Sequence, residues 1–150
     1  LGYKKELARL TKKSPGDLSS AMNGADIFIG LSKGNIVTPR MIARMAKGPI
    51  VFALANPAPE IMPDKAKKAG AFITATGRSD MPNQINNSLG FPGIFRGAID
   101  NRVKEITDIM LMRSAENLAK CVKNLTPNNI IPHPLDKKVV AEVARSIRFP

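Results

Sequence analysis

Three short apolar runs, residues 26–30, 49–55 and 71–76, alternate with segments of helical spacing in the first half of the chain. Ile50, Val51, Phe52, Phe72 and Ile73 are residue types that suit strands. The runs show little polar alternation, which predicts strands covered on both faces. Thr38 before Pro39 reads as a helix start, with threonine as N-cap and proline in the first turn. Met41, Ile42, Met45 and Ala46 then share one face. Pro63 opens a second short helix through 65–69, and Gly70 ends it. A strand-helix-strand-helix-strand order predicts parallel strands joined by right-handed crossovers.

After Thr76 no further strand is expected. Residues 91–101 read as a helix, although Gly93 and Gly97 weaken it. Residues 103–125 predict a longer helix, with Val103, Ile106, Met110, Leu118, Val122 and Leu125 near helical spacing. Residues 126–134 hold three prolines and predict a loop. Asp136 can cap a last helix, on which Val139, Val140, Val143, Ala144 and Ile147 form an apolar stripe. Tyr3 falls in a Lys-rich N-terminal helix. The expected class is α/β: three short parallel strands with crossover helices, followed by C-terminal helices. No Gly-x-Gly-x-x-Gly turn follows a strand, and Gly16 begins no such motif.

A chain of 150 residues suits one domain with a real core. No apolar run approaches the roughly 20 residues of a membrane span, and no secretory signal is visible. The single cysteine, Cys121, excludes an internal disulfide framework. It fits a reducing, cytoplasmic setting, and its place between Leu118 and Leu125 reads as packing. The net charge of +11 raises nucleic acid, an anionic membrane or phosphorylated ligands as partners. The basic residues are scattered, however. Lys4-Lys5, Lys12-Lys13, Lys65-Lys67-Lys68 and Lys137-Lys138 sit in or beside expected helices and read as solvated faces. With one tyrosine and no tryptophan, no stacking platform for single strands is present.

The candidate chemistry gathers in residues 76–100, TGRSDMPNQINNSLGFPGIFRGAID. Asn83, Gln84, Asn86 and Asn87 place four amides within five residues. An amide offers a donor and an acceptor without charge, so such a cluster can grip a carboxylate, a hydroxyl or a carboxamide. The competing reading is a turn-rich surface loop. In parallel open sheets, ligands bind beyond the carboxyl ends of the strands. The residues there are Gly30 to Gly34, Asn56-Pro57 and Gly77 to Asp80, which should open on one crevice. Pro57 biases Asn56 toward an extended backbone. Arg78 can face a phosphate or pair with Asp80, and Arg96 reads as a packing or interface residue.

The same stretch resembles the signature near the end of the nucleotide-binding domain of prokaryotic-type malic enzymes. Gly24-Ala25-Asp26-Ile27-Phe28-Ile29-Gly30-Leu31-Ser32 is similar to a second family motif. Phe52-Ala53-Leu54-Ala55-Asn56-Pro57, followed by Pro59-Glu60-Ile61, is similar to a third. The resemblance implies the second half of a Rossmann-like parallel sheet, over residues 1–150, in a longer enzyme. The half with the glycine-rich motif, and the catalytic N-terminal domain, would be absent. The family oxidatively decarboxylates malate to pyruvate and carbon dioxide, reducing NAD or NADP with a divalent metal, magnesium or manganese.

By this resemblance, Gly30, Leu31, Ser32, Asn56, Gly77, Arg78, Ser79 and Asn86 would border the cofactor. Asn56, Asn86 and Asn87 would meet substrate. Catalytic base, acid and metal ligands would come from family segments that precede Leu1. None is expected here: Tyr3 matches no catalytic motif, and Asp26, Glu60, Asp64 and Asp80 form no metal-ligand set. His133, between Pro132 and Pro134, reads as a surface histidine. The implied partners are malate or pyruvate, the remainder of the enzyme chain, and further copies in a homo-oligomer, with no membrane. Two positions depart from the family pattern. Glycine is common one position after Gly34, and an aromatic residue is common at Met81. The rival reading is a non-catalytic basic module that binds nucleotide phosphates or nucleic acid.

Overall fold

The computed structural model describes residues 2–12 and 15–149, so Lys13 of the Lys12-Lys13 pair lies outside the described residues. The strands β1 (Ile27–Gly30), β2 (Ile50–Ala53) and β3 (Ile73–Thr76) form one parallel sheet in the order β1-β2-β3. Ile27 pairs with Ile50 and Ile50 with Ile73, so the three strands run in step. All three carboxyl ends therefore lie on the same side of the sheet. Before them come α1 (Gly2–Leu10), which carries Tyr3, and α2 (Leu18–Met22). The apolar pattern did not announce α2. Its signal was Asp17, whose side chain accepts from the Ser20 N–H.

The crossover helices are α3 (Pro39–Ala43) and α4 (Pro63–Lys68). Thr38 caps α3 by accepting from the Met41 N–H, as the Thr-Pro pair predicts. Met22, Val37, Ile42, Met45, Val51, Ala53, Ile61, Ala66 and Ala71 form the core on this side of the sheet. The other face is open at β1, where Ile27 is 54% and Ile29 60% exposed. This corrects the expectation of strands covered on both faces. An apolar residue on a strand marks a face that favours burial, but the described helices cover only the opposite side at this edge.

The second half packs α5 (Phe91–Asp100), α6 (Asp108–Lys120) and α7 (Lys137–Ala144) around Leu89, Val139 and Val143. Helix α6 is shorter at both ends than the helix expected over 103–125. Thr107 caps it by accepting from the Met110 N–H, which sets its start at Asp108. Cys121 is the C-cap, and Leu125 is exposed beyond it. Asp136 caps α7 as expected, and Val139, Val143 and Ile147 are buried.

Gly93 and Gly97, which weaken α5 as an isolated helix, are what allows it to approach α7. A Cβ on Gly93 would stand 2.6 Å from Val143 Cβ and 2.8 Å from the Val140 carbonyl oxygen. A Cβ on Gly97 would strike the Ala144 carbonyl oxygen and lie 2.8 Å from Ile147 Cβ. Backbone atoms of a packed helix cannot yield as a flexible side chain can. Gly97→Ala is therefore expected to destabilise by about 1–3 kcal/mol, despite alanine's better helix propensity. Chemical denaturation is the check, and a more stable variant would show that α5 has room to withdraw.

Candidate functional site

The site begins where β2 and β3 end. Thr76, the last residue of β3, is buried, and its hydroxyl accepts the Arg78 N–H at 3.2 Å. Its carbonyl accepts the Ile85 N–H at 2.8 Å, so residues 77–84 form a loop closed on the strand end. That loop and the turn after β2 enclose a crevice of about 680 Å³. Asn56, Gly77, Arg78, Ser79, Asn86 and Asn87 are among its lining residues. The amides expected to share a crevice with Gly77 do share it. The Asn56-Pro57 peptide bond is cis.

The four clustered amides take different roles. Asn83 is buried at φ +57°. Its Nδ2 donates to the carbonyls of Thr74 and Pro127, both at 2.9 Å, and its Oδ1 accepts the Ile130 N–H at 3.0 Å. Asn83 thus ties β3 to the loop after α6. Gln84 pairs beside the end of β3 through a parallel bridge to Thr76. Asn86 turns its Oδ1 to the Ser88 N–H at 3.0 Å and caps the 3₁₀ turn Asn87–Leu89, and its Nδ2 has no partner among the described residues. Asn87 is exposed, and among the described residues its side chain makes no hydrogen bond.

Arg78 pairs with Asp80, Nε to Oδ1 at 2.8 Å and Nη2 to Oδ2 at 2.7 Å. This is the structural pairing that the sequence offered beside a phosphate contact. The hydrogen bonds from Arg78 hold the Asp80 carboxyl below the usual carboxylate range. The two charges cancel at the lip, and the rest of the crevice presents neutral amides and backbone. Arg96, by contrast, is exposed on α5 and pairs with Asp100 at 2.6 Å.

Contrary to the expectation that Gly30 to Gly34 open on the same crevice, the turn after β1 lies outside its lining, because it is held back against Glu60. Leu31 is exposed, while Gly30 and the Ser32 N–H meet Glu60. Glu60 is fully buried, with Oε1 accepting from the Ser32 N–H at 2.9 Å and Oε2 from the Ala55 N–H at 3.1 Å. The sequence placed Glu60 in the Pro59-Glu60-Ile61 motif and read it as an acid outside any metal-ligand set, without a role. Its partners are backbone N–H groups, which a sequence does not display. Asn35, where the family favours glycine, adopts φ +60°. Asparagine tolerates that left-handed conformation better than other side-chain-bearing residues, so Asn35 can hold a conformation that suits glycine.

A second cavity, of about 570 Å³, lies between α6 and α7 and is lined by Lys120, Cys121, Lys123, His133, Asp136 and Glu142, among others. No strand end reaches it. His133 is exposed, and its Nδ1 accepts the Leu135 N–H at 3.2 Å. Burial and the nearby Glu142 and Asp136 carboxylates push the Cys121 thiol up, which disfavours a reactive thiolate. Among the described residues, no three His, Cys, Asp or Glu side chains gather so as to hold a metal ion. No described helix is long and apolar enough to cross a membrane.

The family model described as malic enzyme, NAD binding domain, matches residues 17–148. A bifunctional malic/malolactic enzyme of Bacillus subtilis is 46% identical over 148 residues, covering 96% of this chain and 36% of its own length. An NAD-dependent malic enzyme of Geobacillus stearothermophilus is 46% identical over 149 residues, 97% of this chain and 31% of its own. The crystal structure of an NAD-dependent malic enzyme from Thermotoga maritima superposes with a TM-score of 0.94 at 48% identity. That match covers 99% of this chain and 39% of the other. The chain thus spans about a third of the length of these curated relatives.

Proposed function

The chain belongs to the malic enzymes, within their NAD-binding domain, and from that membership we propose that it forms one wall of the site where malate is oxidatively decarboxylated to pyruvate. The observation that carries this reading is the convergence of Asn56, Asn86 and Asn87 with the Gly77–Ser79 turn on one crevice at the carboxyl ends of β2 and β3.

The donor set fits the nicotinamide end of NAD or NADP. A carboxamide and a ribose need paired donors and acceptors without strong charge, and this lining offers amides and backbone beside one neutralised ion pair. Bound there, the dinucleotide would supply the hydride acceptor. Asn87 would donate to and accept from the substrate or the carboxamide, Asn86 would donate through Nδ2, and Asn56 would close the opposite wall. Gly77, Arg78 and Ser79 would border the cofactor. The turn of Gly30, Leu31 and Ser32 would meet it along the edge of β1, outside the amide crevice.

The same test fails for a metal. The described residues offer no ligand cluster, so magnesium or manganese, the base and the acid would come from the remainder of the enzyme. The open face of β1 would be covered by that remainder, and the intact enzyme would be a homo-oligomer in the cytoplasm.

The experiment is reduction of NAD and of NADP with malate and manganese or magnesium. The complete enzyme carrying this chain is expected to turn over. The 150-residue chain alone is expected to reduce neither cofactor. Malate-dependent turnover by the chain alone would overturn this division of labour. Salt-sensitive binding to unrelated polyanions, without a response to malate and dinucleotide in the complete enzyme, would instead favour a basic phosphate-binding module.

A further inference from the structure

Glu60 is a buried acid that the proposed reaction does not use. Both of its carboxyl oxygens are engaged, and both partners are backbone donors: the Ser32 N–H after β1 and the Ala55 N–H after β2. An amide in its place would offer one acceptor and would turn its NH₂ toward the other N–H. The fold makes room for the carboxylate. A Cβ on Gly30 would lie 2.5 Å from Glu60 Oε1 and 2.8 Å from Phe28 Cε1, so glycine is the residue that admits it. The Glu60 backbone joins the same junction, its carbonyl accepting the Val37 N–H at 3.0 Å, while Pro59 accepts the Asn35 N–H at 3.0 Å.

The consequence falls on Asn56. Leu54 is the last residue of this strand end with a backbone hydrogen bond to the sheet, its N–H donating to the Gly30 carbonyl at 3.0 Å. Among the described residues, the bond from Ala55 to Glu60 is the only hydrogen bond made by the backbone of residues 55–58. The backbone hydrogen bonding of the turn that carries Asn56 into the crevice therefore rests on one buried side chain, five residues after Ala55. A buried carboxylate accepting two backbone N–H groups makes a strong, directional anchor.

We propose that Glu60 is a positioning residue that clamps the turn after β2 to the turn after β1 and so fixes Asn56 in the crevice. This deepens the malic-enzyme reading and rests on it for the kinetic part of its test. In the complete enzyme, Glu60→Gln keeps the side-chain volume and breaks one of the two bonds. Per folded enzyme, kcat/KM for malate is expected to fall about tenfold. In an Asn56→Ala background the same change is expected to cost little more, because Glu60 acts through Asn56. A merely structural acid would give equal losses in both backgrounds, and that result, or parental kinetics in folded Glu60→Gln, would overturn the proposal.

Hydrogen exchange on the unmodified enzyme covers the case of a variant that does not fold. The Ser32 and Ala55 amides are expected to exchange at least about tenfold more slowly than the Asn56 amide. Free exchange at Ala55 would overturn the proposal with no variant at all. If the complete enzyme oxidises no malate, the functional reading fails, and the exchange pattern still decides whether Glu60 holds the turn.

Discussion

Asn83→Ala is expected to lower the unfolding free energy by about 3–5 kcal/mol, a large effect for one substitution. The substitution removes two donors and one acceptor from a buried junction. The Thr74 and Pro127 carbonyls and the Ile130 N–H each lose a partner. Each buried group left without one costs about 1–3 kcal/mol. The backbone adds to this, because φ is +57° and alanine fits the left-handed region poorly. Asn83→Gly separates the two contributions, since glycine accepts the backbone but restores no hydrogen bond. Chemical denaturation should find Asn83→Gly strongly destabilised, though less than Asn83→Ala. Near-parental stability in both would show that the loop after α6 does not depend on this amide.

Asn87→Ala, four residues on, is expected to do the opposite: stability barely moves and catalysis falls. Its side chain is exposed and makes no hydrogen bond among the described residues, so its removal leaves no internal partner stranded. In the complete enzyme the loss falls on a ligand. A hydrogen bond to a charged group such as a malate carboxylate contributes about 1.5–3 kcal/mol. That corresponds to about ten- to a hundredfold in kcat/KM. Asn86→Ala should act in the same direction and also weaken the 3₁₀ cap, because its Oδ1 already serves Ser88. Steady-state kinetics with malate and cofactor varied separately, alongside thermal unfolding, is the measurement. Parental kinetics in folded Asn87→Ala would make Asn87 a loop residue. A large fall in melting temperature with proportionate loss of activity would make it a structural amide.

These two asparagines mark how far the sequence could be read. Both are the same residue type in one motif, and only the fold separates them, because the partners of Asn83 lie up to 47 residues away. The strands were legible from β-branched and aromatic runs, and α3, α4 and α7 from Thr38-Pro39, Pro63 and Asp136. Each of those signals is local, and so is the structure it specifies. Helix α6 was drawn too long because apolar spacing continues through Val103 and Leu125, while the Thr107 N-cap and the Cys121 C-cap set the limits. Gly93 and Gly97 read as weaknesses because propensity describes an isolated helix, whereas α7 lies close enough to exclude a Cβ. Glu60 stood in a family motif, but its role was not legible, since backbone N–H groups are present at every residue and only the chain path selects two of them.

The central claim is that NAD or NADP and malate meet the amides at the carboxyl ends of β2 and β3. A crystal structure of the complete enzyme with dinucleotide and malate or a non-reacting analogue tests it most directly. The account predicts the nicotinamide end in the crevice of Asn56, Gly77, Asn86 and Asn87, with at least one of Asn86 and Asn87 hydrogen-bonded to substrate or carboxamide. Dinucleotide bound elsewhere, for instance in the cavity between α6 and α7, with this crevice facing only solvent, would contradict it.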